Sequence, residues 1–185
     1  MHLEGGMRYE ADAPLMVESQ SRSIMTDLPP ALETGNYLID DEHRLLLGIM
    51  GNLRRVCIDP ANLDSCRGCD RLRQSSCEKE VVSQLGDLFA FILEHFSTEE
   101  RIMRDALMSM TDKALCDAHI EDHAAIAQKV QEIVSRLDSE QTVRRIRELD
   151  TLLRRWVDNH IGLHDLMLVR WLNNDQGLAK AGQPG

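Results

Sequence analysis

From Tyr37 onward the chain repeats apolar side chains at alternating steps of four and three, the period of a helix with one buried face. Ile39, Leu46, Met50 and Leu53, with His43 and Cys57 in the same seam, predict a first helix over about 37–57. Val81, Leu85, Leu88, Ile92, Ile102 and Ala106 predict a second over about 78–108, with Gly86 tolerated inside it. Leu115, Ile126, Val130, Ile133 and Leu137 mark a third, which Thr111 or Asp112 can cap. Ile146, Leu149, Leu153, Trp156, Leu163 and Met167 mark a fourth, over about 142–172, which Asn173, Asn174 and Gly177 should end. The later connections are short, so the expected fold is all-α: an antiparallel up-down-up-down four-helix bundle.

Polar residues interrupt each apolar seam. His43 lies in the first, His95 and Glu99 in the second, His119 and His123 in the third, and His160 in the fourth. In an antiparallel bundle, residues equally far from a shared turn lie at one height. Glu99 precedes the turn near Ser109 by ten residues and His119 follows it by ten. The remaining pairs fall within roughly one or two turns of that level, at 1.5 Å of rise per residue. Five imidazoles and at least one carboxylate thus converge in an apolar core. Unpartnered, they would cost several kcal/mol, and a metal suits both donor types together. The set exceeds the usual four ligands of zinc and points to two ions, for which iron fits the mix of nitrogen and oxygen donors. Helical spacing places His164 on the face of His160, whereas Asp165, five residues on, is rotated by about 140° at 3.6 residues per turn.

Composition narrows the classes further. The 185 residues carry a net charge of −10, which argues against a nucleic-acid surface, and only seven are aromatic, in keeping with helices rather than a sandwich. No run of 18 apolar residues and no secretory signal is visible, so no membrane association is expected and the location is read as cytoplasmic. Residues 1–35 read as an N-terminal arm, in which Pro29 and Pro30 stop any helix, 36–172 as the folded domain, and 173–185 as a tail.

Five cysteines in a reducing compartment are thiols or ligands before they are disulfides. Four of them lie in or beside a long connection, 58–77, between the first two helices: Cys57, Cys66, Cys69 and Cys77, spaced C-x8-C-x2-C-x7-C. They form a candidate second site, either a structural zinc or a redox-switched thiol cluster, with loosely placed incidental thiols as the plain alternative. Cys116 stands outside the group as a bystander.

In order along the chain stand LIDDEH with His43, HFSTEE with His95 and Glu99, HIEDH with His119 and His123, and WVDNHIGLHD with His160 and Asp165. Over residues 36–172 this pattern resembles the hemerythrin family, in particular the bacterial hemerythrin-like domains. The resemblance implies a non-haem di-iron centre: His119, His123 and His160 on one iron, His43 and His95 on the other, Glu99 and Asp165 bridging, and dioxygen bound at the two-histidine iron. It therefore selects Asp165 where helical spacing selects His164. The function it implies is oxygen binding for storage, delivery or sensing, without enzymatic turnover. The alternatives are a di-iron enzyme acting on peroxide, nitric oxide or ferrous iron, or a regulatory module that signals to a protein partner. Such a partner would engage the N-terminal arm or the Cys-rich insertion, both of which lie outside the family's minimal pattern.

Overall fold

The computed structural model describes residues 27–57, 64–106 and 110–181, with side chains described except at 110–112 and 174–181. Most of the expected N-terminal arm, the first part of the Cys-rich connection (58–63) and the caps expected at Thr111 or Asp112 lie outside these side chains and segments.

Helix α1 (Tyr37–Val56) starts where local chemistry says it should. Asn36 is its N-cap, and its side-chain oxygen accepts from the backbone N–H groups of Leu38 and Ile39. The Asp40 carboxylate reaches back to accept from the Thr34 backbone, the Thr34 hydroxyl and the Gly35 backbone, at 2.8, 2.7 and 3.2 Å. Gly35 makes this turn with φ of 83°, a conformation that a side chain would strain. Ile39, His43, Leu46, Met50 and Leu53 are buried as the seam requires, while Cys57 sits just past the helix in extended backbone.

Helix α2 (Arg71–Ala106) begins seven residues before the predicted 78, so Cys77 lies inside the helix rather than ahead of it. The Asp70 carboxylate accepts from the Arg73 N–H and secures that earlier start. Helix α3 (Met110–Val134) corrects its predicted seam at both ends. Leu115 is half exposed and Cys116 is buried in its place, giving the buried series Cys116, His119, His123, Ile126, Val130 in steps of three and four. Cys116 is thus a seam residue of α3, apart from the other four cysteines. Leu137, predicted as the last seam position, lies beyond the helix in the turn to the next.

The fourth rod of the bundle differs most from a regular helix. Helix α4 (Thr142–Trp156) passes into a π-helical segment, Val157–Asp165, and then into helix α5 (Leu166–Ala181), with helical backbone at both junctions. The expected stop at Asn173, Asn174 and Gly177 is not taken, and the helix runs on to Ala181. In the π segment each turn holds an extra residue, so the buried stripe slips along the sequence. The expected seam residues Leu163 and Met167 are exposed, and Ile161, Asp165, Leu168 and Val169 are buried instead.

Helix α1 packs on α2 and α4, and α3 on the same two, which closes the four-helix bundle. The described residues contain no strand, and no described helix is long and apolar enough to cross a membrane. Two apolar clusters fill the interior. The larger contains Leu46, Leu53, Leu88, Val130, Leu149 and Leu153, and the smaller contains Met103, Cys116 and Leu168. In α3 both histidines fall between the two clusters in sequence, and in α2 and the fourth rod the polar residues begin at the last turn of the larger cluster and lead to the smaller one. Each fully buried leucine contributes about 1.5–3 kcal/mol of burial, so the apolar floor beneath the polar layer is a firm platform for it.

Candidate metal centre

Seven side chains meet in that layer: His43 from α1, His95 and Glu99 from α2, His119 and His123 from α3, and His160 and Asp165 from the π segment. All seven are buried. Asp165 stands at the middle of the group. Its Oδ2 faces His43 Nε2 at 3.1 Å and His95 Nε2 at 3.8 Å, and its Oδ1 faces His119 Nε2 at 3.3 Å and His160 Nε2 at 3.2 Å. Glu99 Oε2 lies 3.1 Å from His123 Nε2, 3.2 Å from His119 Nε2, 3.6 Å from His160 Nε2 and 3.7 Å from His95 Nε2. Two overlapping groups have donor atoms all within 4.8 Å of one another: Glu99 with His119, His123 and His160, and His95, Glu99, His160 and Asp165.

The donor set suits cations better than it suits itself. His119 Nε2 and His160 Nε2 face each other at 3.2 Å, where at most one can carry the intervening proton. His95 Nε2, Glu99 Oε1 and Asp165 Oδ1 are buried without an aligned hydrogen bond, a cost of about 1–3 kcal/mol each if nothing else binds there. Donor spacings near 3 Å match the edge of an octahedron whose bonds are about 2.1 Å long. Without metal, protons hold the cluster together. Burial pushes His119 down, but hydrogen bonds to Asp165 and Glu99 outweigh it and raise its pKa to about 9. Burial likewise pushes Glu99 up, yet His95 and the three other imidazoles around it hold its carboxyl well below the usual range. Asp165 is lowered despite burial and the nearby Glu99, because His119 and His43 bond to it.

A further layer of carboxylates, not picked out in the sequence, orients the rings. Glu42 Oε2 lies 2.9 Å from His95 Nδ1, and its Oε1 accepts from the Thr98 hydroxyl at 2.8 Å. Asp122 Oδ2 lies 2.7 Å from His160 Nδ1, and Glu100 Oε1 lies 3.2 Å from His123 Nδ1. Each carboxylate adjoins a cluster residue in sequence and serves the ring of a different helix. Glu42 precedes His43, Asp122 precedes His123, and Glu100 follows Glu99. A carboxylate on Nδ1 fixes the tautomer and leaves Nε2 as the donor toward the centre. Adjacency to a seam residue was the available signal, although it does not reveal which neighbouring helix a side chain will reach. Aromatic faces complete the wall: Phe96 stacks on His123 at 3.8 Å between centroids, and Phe91 on His95 at 5.2 Å.

His164 stands outside the cluster. It is partly exposed and lines a cavity of about 310 Å³ with Met103, Leu115, Cys116, His119 and Trp171. Burial lowers its pKa, as do His119 and His160 beside it. The positional conflict at the end of the fourth seam therefore resolves toward Asp165, because the intervening turn is π and not α. The four remaining predicted residues, Cys57, Cys66, Cys69 and Cys77, gather elsewhere, around a small cavity at the end of the bundle where α1 finishes.

No curated protein and no solved structure matches the chain significantly. The family described as the Hemerythrin HHE cation binding domain matches residues 34–172, which are 139 of the 185. That span contains all seven buried cluster residues, and the chain belongs to the hemerythrin HHE family of cation-binding domains.

Proposed function

We propose that the protein binds dioxygen reversibly at a non-haem di-iron centre. In this reading His119, His123 and His160 hold one iron, His43 and His95 hold the other, and Glu99 and Asp165 bridge them. When bound, such a centre supplies two electrons that can be lent to dioxygen and recovered. The observation that carries the proposal is the uneven division of imidazoles around the two carboxylates: His119, His123 and His160 gather at Glu99 Oε2, whereas only His43 and His95 face Asp165 Oδ2. One fewer protein donor on the His43 and His95 side leaves room for a small diatomic ligand there.

The chain's own residues supply the conditions for binding without turnover. Glu42, Asp122 and Glu100 hold three of the rings in place through Nδ1, which keeps the donor nitrogens aimed inward. Phe91, Phe96 and Trp156 pack against His95, His123 and His160 and exclude water. A largely apolar cavity borders the cluster at His119 and His164 and offers few groups to retain a polar substrate. Metal analysis and absorption spectroscopy test the proposal together. Protein made with iron available should hold two irons per chain, and its reduced form should gain an oxygen-dependent visible band that deoxygenation removes. One metal per chain, or steady consumption of peroxide or nitric oxide beside a reductant in place of a stable adduct, would overturn it.

A further inference from the structure

A second cluster of metal-binding side chains lies far from the first. Four of the five cysteines in the chain line one cavity of about 20 Å³, together with Arg73, Gln74 and the start of α4. A space of that size holds about one water-sized species. The thiols come from three separate places: Cys57 just past α1, Cys66 and Cys69 on a 3₁₀ turn (Cys66–Gly68) and the residue after it, and Cys77 in the second turn of α2. Cysteines that arrive independently from three segments and meet at one point are not accounted for by packing, since any small apolar residue would fill the space.

The C-x2-C unit is held as a scaffold. The Cys69 N–H donates to the Cys66 carbonyl at 3.0 Å, and the Gln74 side-chain amide donates to the carbonyls of Cys66 and Cys69 at 2.7 and 3.2 Å. The Cys66 N–H donates to the Glu140 carbonyl at 2.9 Å, and Arg67 pairs with the Glu140 carboxylate, which ties the turn to the connection between α3 and α4. With the backbone fixed in this way, the side chains alone need to adjust. Among the described residues no three of these sulfurs lie within 4.8 Å of one another, whereas bonds of about 2.3 Å to a tetrahedral ion would bring them to about 3.8 Å.

We propose that Cys57, Cys66, Cys69 and Cys77 bind one zinc ion as a tetrathiolate that clamps the end of α1, the start of α2 and the α3–α4 connection together. Burial pushes the Cys77 thiol up, Arg73 opposes that, and the three other thiols push it up again. A bound divalent ion would offset both effects and hold the sulfurs as thiolates. Helix α1 separates Cys57 from His43 by fourteen residues and α2 separates Cys77 from His95 by eighteen, so the sites are roughly 20 to 27 Å apart at 1.5 Å per residue. The zinc site is therefore independent of the iron proposal.

The test uses the full chain purified with both metals available and without added chelator. One zinc per chain is expected, released in step with the titration of four thiols by a mercurial reagent. Cobalt in place of zinc should give the intense thiolate-to-metal absorption of a tetrahedral sulfur site. In the C66S/C69S variant the zinc should be lost while the absorption of the histidine-held metals is unchanged. Should that variant not fold, the zinc count and the cobalt spectrum of the unaltered chain decide. Four thiols that titrate at once in native protein holding no zinc would overturn the proposal, as would a disulfide among them, or zinc retained in full by C66S/C69S.

Discussion

Asp165 Oδ1 lies 3.2 Å from His160 Nε2 although the two residues are five apart, because the segment between them is π-helical. An i to i+5 repeat stacks them on one face, where an α-helix would stack His160 over His164. Replacing Asp165 with Ala should therefore empty the centre: it removes a carboxylate that faces imidazoles in both halves of the cluster. The di-iron absorption should be lost. His164→Ala should leave that absorption largely intact, since His164 borders the neighbouring cavity and contributes no atom to the cluster. Absorption spectra and metal content of the two variants, measured side by side, check the assignment, and the reverse outcome would refute it.

The π segment also marks the boundary of what the sequence discloses. Four helices, and histidines at one height in all of them, follow from apolar spacing alone, because steps of four and three report burial directly. A π turn leaves no comparable trace. Its extra residue is offset by burying His160 and Asp165 together, a tertiary gain that local pattern does not contain, so Leu163 and Met167 follow the seam period yet lie outside. Asp165 was reached only through the family motif. The early start of α2 was hidden for a different reason: Arg71 to Cys77 is polar and carries no seam, and its helix is set by Asp70 and by Gln74 bonding to the cysteine turn.

Removing the carboxylates behind the rings should loosen the metal without displacing a ligand. Glu42→Gln and Asp122→Asn keep size and a hydrogen-bond acceptor but lose the charge that holds His95 and His160 in the correct tautomer. Each should weaken metal affinity by about 10- to 100-fold. Competition with a graded chelator measures this, and Glu100→Gln should have a smaller effect, because its bond to His123, at 3.2 Å, is the longest of the three.

Loading should release protons. Below a pKa of about 9 the metal-free protein carries a proton on His119, held by Asp165 and Glu99. A metal displaces it. At pH 7.5, uptake of a redox-inert divalent ion should free at least one proton per chain, detectable with an indicator dye in weak buffer, and less at pH 9.5. The same shift sets the stability of the metal-free form. His119 is raised above its ordinary value of 6.5, so its contribution is complete below about pH 6.5 and is lost as pH rises through about 9. Glu99 and Asp165 are lowered from 4.5 and 3.8, so theirs is present above those values and lost on further acidification. Metal-free protein should therefore be most stable between about pH 4.5 and 6.5 as far as these groups decide it, a window that denaturant titrations at several pH values would map.

Metal removal should destabilise the whole bundle and not one helix, since the seven cluster residues come from all four rods. Ligand present at 100 times its dissociation constant adds about 2.7 kcal/mol of stability. For a chain of this length each kcal/mol moves the melting temperature by about 2–4 °C, so chelation should lower it by about 5–11 °C. The unfolding transition should stay single, because every helix loses a partner together. Leu88→Ala, in the apolar floor, should cost about 2–5 kcal/mol and lower the melting temperature of loaded and metal-free protein alike. Melting curves of the four combinations separate the two contributions. Equal melting temperatures with and without metal would mean that the seven residues do not share a bound centre.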